Sequence, residues 1–152
     1  MMLCILKISL SKYNLIMGTI ATDNNQLTLY YHSKSSLGKQ TLAYIKTTSG
    51  KINAVDLFET KLTGTQWVDI AKKLNSNLSD LVAQNHPDFK LYYNISNDLS
   101  SDDWIKVLQK HPIVLRCPIL INGENYHLIE TPSKIAKILE SEGFSQDARS
   151  LE

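Results

Sequence analysis

The stretch that most constrains this chain runs from Leu27 to Ile45, LTLYYHSKSSLGKQTLAYI. Leu27-Thr28-Leu29-Tyr30-Tyr31 is rich in β-branched and aromatic residues and reads as a β-strand. His32 to Ser36 is polar and offers serine as a helix N-cap. From Leu37 the apolar positions Leu37, Thr41, Leu42, Tyr44 and Ile45 fall at the spacing of a buried helical stripe. A strand, a polar turn and a helix in that order aim the loop's backbone N–H groups at whatever lies above the helix. Such groups favour an anion or a thiolate.

The remainder of the chain alternates in the same way. Lys51 to Phe58 reads as a second strand after a Ser49-Gly50 turn. Thr63-Gly64-Thr65 precedes a helix over Gln66–Leu74, with Trp67, Ile70, Ala71 and Leu74 on one face. Leu78 to Gln84 reads as a short helix that His86-Pro87-Asp88 breaks, and Lys90 to Leu99 reads as irregular. Ser100-Ser101-Asp102-Asp103 caps a helix over Trp104–Gln109, whose inward face is Trp104, Ile105, Val107 and Leu108. Ile119-Leu120-Ile121, a turn at Asn122-Gly123 and Tyr126–Ile129 read as a hairpin. Thr131-Pro132-Ser133 then opens a last helix through Ile135, Ala136, Ile138 and Leu139, which Gly143 ends. Two early strands separated by a helix pair in parallel, whereas the late hairpin is antiparallel. The expected architecture is α/β: a mixed sheet built as β-α-β, a helical insertion over about residues 64–110, a β-hairpin and a C-terminal helix.

Composition narrows the function classes. The chain has 152 residues, 43% of them apolar and 20% charged, which suits one domain with a proper core. Its formal net charge is +1, the lysines are scattered, and the only arginines are Arg116 and Arg149, so no basic stripe points to nucleic acid. Residues 1–16, MMLCILKISLSKYNLI, are too short an apolar run to span a bilayer and lack the layout of a signal peptide. They are expected to be an extension outside the domain, which then occupies residues 17–143 with Met17 as an alternative start. An added edge strand is the other reading. Residues 144–152 form a polar tail. Two cysteines, Cys4 and Cys117, make no disulfide framework, so a reducing cytoplasm is the expected compartment. The four histidines show no metal-ligand spacing, and no metal or cofactor is expected.

The element order, with the segments LTLYYHSKSSLGKQTLAYI and HPIVLRCPILI…TPSKIAKIL, resembles the thioredoxin-fold arsenate reductase family, which includes Spx-type regulators. The resemblance covers about Leu27 to Leu139. It implies a four-stranded mixed sheet, an inserted helical lobe, and a cis proline facing the active-site loop, with Pro118 at the matching position. It also implies a reactive cysteine between the first strand and first helix. Ungapped, that position is Ser35, and the partner of a C-x-x-C pair falls at Gly38. Arsenate-reducing members hold the oxyanion with arginines. The matching positions here are Cys117, Thr131 and, in the insertion, one near Gln84. Nucleophile and anion clamp are both replaced.

The chemistry of that replacement is severe. Cysteine at a helix N-terminus can have its pKa lowered to about 3.5–7.5 and attack as a thiolate. Serine cannot form the mixed disulfide or the thiol–arsenic bond, and His32 has no acidic residue between Gln26 and Val55 to orient it as a general base. What remains is a polar loop with Ser33, Ser35, Ser36 and Lys39. It reads either as a weak anion site or as a helix cap beside a solvated lysine. Cys117 reads either as a redox-sensing thiol near the ancestral site or as a small buried side chain. Three functions follow as expectations. The first is a binding or regulatory module without arsenate reductase activity, taking a small anion or a protein partner. The second is a thiol-dependent oxidoreductase or redox sensor using Cys117. The third is a transcription-associated regulator of Spx type.

Overall fold

The computed structural model describes residues 26–48, 51–93 and 98–142. The expectations for residues 1–16, Met17, the Ser49-Gly50 turn, Gly143 and the tail lie outside these. Strand β1 is Leu27–Tyr31, helix α1 Ser36–Thr48 and strand β2 Ile52–Asp56. Helices α2 (Gly64–Lys73), α3 (Pro87–Tyr92) and α4 (Ser101–Lys110) follow, with 3-10 turns at Leu78–Leu81 and Pro112–Val114. Strands β3 (Ile119–Asn122) and β4 (Asn125–Leu128) precede helix α5 (Lys134–Ser141).

The four strands form one mixed sheet in the order β2-β1-β3-β4. Strand β1 runs parallel to β2, with Leu29 opposite Ala54, and antiparallel to β3, with Leu29 opposite Leu120. The hairpin β3–β4 closes through Gly123, whose φ of 59° is the left-handed conformation that glycine adopts without strain.

The period-two alternation of the strands splits the core between two faces. Leu27, Leu29 and Leu120 point to one face, where Ile45 of α1 and Ile135, Ile138 and Leu139 of α5 cover them. Tyr30, Ile119, Ile121 and Tyr126 point to the other, where Trp67 and Ile70 of α2, Phe89 of α3, and Val107 and Leu108 of α4 cover them. The inserted helices therefore form the second layer of the sandwich. Each fully buried leucine or isoleucine contributes roughly 1.5–3 kcal/mol relative to exposure, so this burial outweighs any single cap.

Local sequence chemistry sets the helix ends. Thr63 and Gln66 form a reciprocal capping box at α2, as do Ser100 and Asp103 at α4. Helix α2 ends in a left-handed Asn75, with the Ser76 N–H donating to Ala71 O and the Asn75 N–H to Lys72 O. That is the Schellman arrangement.

Three expectations need correction. The segment Leu78–Gln84 is a single 3-10 turn, because Val82 leaves it to bridge Leu115 and the Ala83 N–H donates to Val114 O. His86-Pro87-Asp88 does not only break structure, and Lys90 to Leu99 is not wholly irregular. His86 Nδ1 accepts the Asp88 N–H at 3.1 Å, Pro87 occupies the first helical position, and α3 runs to Tyr92. Proline is tolerated there because its missing N–H has no helical partner to lose. Finally, no described peptide bond is cis, so Pro118 is trans. Trans is the ordinary state of the amide before proline. Backbone bonds on either side, Arg116 N–H to Leu81 O and Ile129 N–H to Pro118 O, hold the chain in that course.

Candidate functional site

The loop from His32 to Ser35 carries the chain from β1 into α1, and its hydrogen bonds define what each side chain does. The Ser35 N–H donates to His32 O at 3.0 Å, and Ser35 Oγ accepts the Gly38 N–H at 3.2 Å. Ser35 is thus the N-cap of α1. Ser36 Oγ accepts from the Gln40 side chain at 3.3 Å on the exposed surface, and Lys39 is also exposed. Ser33, Ser35 and Ser36 come together in one turn, with two of their groups engaged locally. The position aligned with a C-x-x-C partner, Gly38, is tightly enclosed. A Cβ there would lie 2.6 Å from His32 O.

Across the sheet, the β1–β3 register pairs Tyr30 with Ile119. The pairing ends there: the chain bends at Arg116 and Cys117, the Arg116 N–H donates to Leu81 O, and the charged groups acting on Cys117 are Arg116, Glu130 and Lys134, none of them from the β1–α1 loop. Cys117 is 5% exposed. Burial pushes its thiol pKa up, Arg116 opposes that, and Glu130 adds to it. The net direction is away from a thiolate. Arg116 is exposed and lies 3.9 Å from Glu130, so its charge is spent at the surface. Thr131 Oγ1 is 3.3 Å from Ser133 Oγ at the entrance to α5.

Sequence reasoning missed Asp56. Its Oδ1 accepts the backbone N–H groups of Ser33 and Phe58, each at 3.0 Å, and so clips the β1–α1 loop to the end of β2. Burial works against ionisation of this carboxyl, but hydrogen bonds from Ser33 and Phe58 and the nearby His32 outweigh it and hold its pKa low. His32 is buried, and its Nδ1 accepts the Lys34 N–H at 3.1 Å. Burial lowers its pKa, Lys34 and His86 lower it further, and Asp56 partly opposes them. The Asp56 oxygen seen bonding is used on backbone amides and not on the imidazole, so Ser35, His32 and Asp56 do not form a nucleophilic relay.

Beside this loop lies a cleft of about 360 Å3 that sequence reasoning also missed. One wall is His32 and Lys34 of the β1–α1 loop. Another is Leu57, Phe58 and Lys61 of the β2–α2 connection. The helical lobe closes it with Asp88 and the run Lys110–Ile113. Lys34 Nζ sits 5.1 Å from the centre of the Phe58 ring, and His32 meets that ring edge-on at 5.7 Å. His111 stacks on Tyr92 with centroids 4.2 Å apart. Neither Ser35 nor Cys117 lines this cleft. Among the described residues no group of three His, Cys, Asp or Glu side chains could hold a metal, and no helix is long and apolar enough to cross a membrane.

No protein-family model and no curated protein sequence matches this chain. Solved structures do. An arsenate reductase from Vibrio cholerae is similar at 20% identity and TM-score 0.64, over 75% of this chain and 98% of that one. A candidate arsenate reductase from Yersinia pestis is similar at 17% identity and TM-score 0.65, over 73% and 98%. An arsenate reductase related protein from Brucella melitensis is similar at 11% identity and TM-score 0.59, over 79% and 99%. Likeness at these identities is likeness of fold. The chain has the thioredoxin-like α/β fold of the arsenate reductases, with the four-stranded mixed sheet and inserted helices its sequence pattern led one to expect.

Proposed function

We propose that this chain is a member of the arsenate reductase-like family that has lost thiol-dependent arsenate reduction and acts in a reducing cytoplasm as a binding or regulatory module. The observation that carries this is the state of the α1 N-terminus. No cysteine occurs between Leu27 and Thr48, and the hydroxyl at the aligned position, Ser35, is occupied as a helix cap. A one-residue shift of the alignment to Ser36 leaves the conclusion unchanged, since that residue is also an alcohol. The free thiol among the described residues, Cys117, is buried with its pKa pushed up, which counts against the reading of it as a redox sensor. The test is reductant consumption by the full chain with arsenate, once with glutathione and once with thioredoxin. The expected result is no arsenate-dependent rate; a rate that saturates with arsenate would refute the reading.

The Spx-type reading has one observation in its favour. Leu91 and Tyr92, on the inserted lobe, are 73% and 57% exposed, unusual for large apolar side chains on neighbouring positions. Binding of purified RNA polymerase that is lost in Leu91→Ser/Tyr92→Ser would support this reading, and no binding by the unaltered chain would end it.

A further inference from the structure

We propose that the cleft between the β1–α1 loop and the helical lobe binds a small organic polyanion, a compact and partly apolar body carrying two or more carboxylate or phosphate groups. This deepens the binding-module reading and rests on it.

Three segments far apart in the chain each place one lysine on the same cleft: Lys34, Lys61 and Lys110. Any one of them alone would be an ordinary solvated side chain. Together they face a single carboxylate, Asp88. Among the described residues none of the three lies within salt-bridge distance of a carboxylate, whereas Lys73 on the outer surface pairs with Glu124 at 2.7 Å. Three ammonium groups against one carboxylate leave the lining of this cleft with an unbalanced positive charge. An anion with several negative groups balances that charge, and it gains most when its groups are spread to meet all three.

The walls between the lysines are apolar, which sets the rest of the ligand. Leu57, Phe58, Pro112 and Ile113 line the cleft, with Leu57 buried and Phe58 55% exposed. A bare oxyanion would leave those surfaces wetted. A ligand with a carbon skeleton or ring would cover them, and the Phe58 ring is already held in place by His32 and Lys34. The volume of about 360 Å3 suits a compact molecule and falls at the lower end of the roughly 300–1,000 Å3 found for small-molecule sites.

The test is a titration of the 15N-labelled full chain at low ionic strength, followed by amide chemical shifts. The probes are benzene-1,3,5-tricarboxylate, inorganic pyrophosphate and, as a neutral ring, benzyl alcohol. The expected result is saturable shifts at Phe58, Lys61 and His111 with at least one anion and none with benzyl alcohol. Affinity should fall about tenfold or more in Lys61→Gln/Lys110→Gln, a change of about 1.4 kcal/mol or more, and stay unchanged in Lys46→Gln on exposed α1. Tighter binding of pyrophosphate assigns phosphate groups to the ligand, and tighter binding of the tricarboxylate assigns carboxylates. No saturable shift with either anion, shifts centred on α1, or equal affinity in the double variant would overturn the inference. Those results would leave the absence of reductase activity standing, whereas arsenate turnover would remove the underlying reading whatever the titration gave.

Discussion

Asp56 and Ser33, separated by 23 positions, are joined by a 3.0 Å hydrogen bond from the Ser33 N–H to Asp56 Oδ1. The same oxygen takes the Phe58 N–H. One carboxylate thus fixes both loops that frame the cleft. Hydrogen bonds to a charged acceptor are worth about 1.5–3 kcal/mol, so Asp56→Ala should lower unfolding stability by about 2 kcal/mol. Urea denaturation measures this, and an unchanged midpoint would mean the clip is incidental.

The same carboxyl makes an acid-dependent contribution. Although burial opposes it, hydrogen bonding leaves the folded pKa below the ordinary value. The contribution is therefore complete above the unfolded pKa of about 3.9 and is lost as pH falls through the lower folded value. Below about pH 4 the unaltered chain should lose stability more steeply than Asp56→Asn, as read by thermal melts across that range.

His32 should act nearer neutrality. Burial first, with Lys34 and His86 adding to it, lowers its pKa, and its Nδ1 must be unprotonated to accept the Lys34 N–H. Its stabilising effect is full above the unfolded pKa of about 6.5 and is lost as pH falls through the folded value. His32→Asn keeps a side-chain acceptor two residues before the same N–H but cannot titrate. Melting temperature should drop less between pH 7 and pH 5 in the variant than in the parent; parallel profiles would contradict this.

Gly38 tests how closely helix α1 is fitted to its loop. An added methyl would meet the His32 carbonyl oxygen at 2.6 Å, an atom of the backbone that cannot swing aside. Gly38→Ala should cost about 1–3 kcal/mol despite alanine's better helix propensity. The same contact means that restoring a C-x-x-C pair would require the loop to move. A Gly38→Ala protein as stable as the parent would show that the loop gives way freely.

Cys117 should behave as packing. In a Cys4→Ser background, iodoacetamide should label Cys117 slowly in the folded protein and quickly in urea, because the thiol is buried and its pKa is raised. Labelling of the folded protein at the rate of a free thiol would favour a redox role.

Much of the scaffold is written locally, and the site is not. The composition of Leu27–Tyr31 and the capping serine at Ser100 are short-range signals. Strand β1 fell where it was placed, and Ser100 caps a helix that starts at Ser101 and not at Trp104. The hairpin turn lies one residue on from Asn122-Gly123, at Gly123-Glu124, because Asn122 pairs with Asn125. Helix α3 was hidden because a histidine cap followed by proline resembles an interruption. The cleft was hidden for a different reason. Lys34 and Lys61 belong to two separate connections and Lys110 to the end of α4, and only packing of the lobe against the sheet brings them together. Asp56 escaped notice because its partners are backbone amides, which leave no mark in side-chain spacing.

The central claim, that this arsenate reductase fold no longer performs thiol chemistry, is tested most directly by a single-turnover experiment. Full-length protein in excess over arsenate, with glutathione present, is quenched over time and arsenite is quantified. The account predicts arsenite no higher than in a protein-free control, for the parent and for Cys117→Ser alike. Arsenite formed in proportion to protein, and abolished by Cys117→Ser, would contradict it.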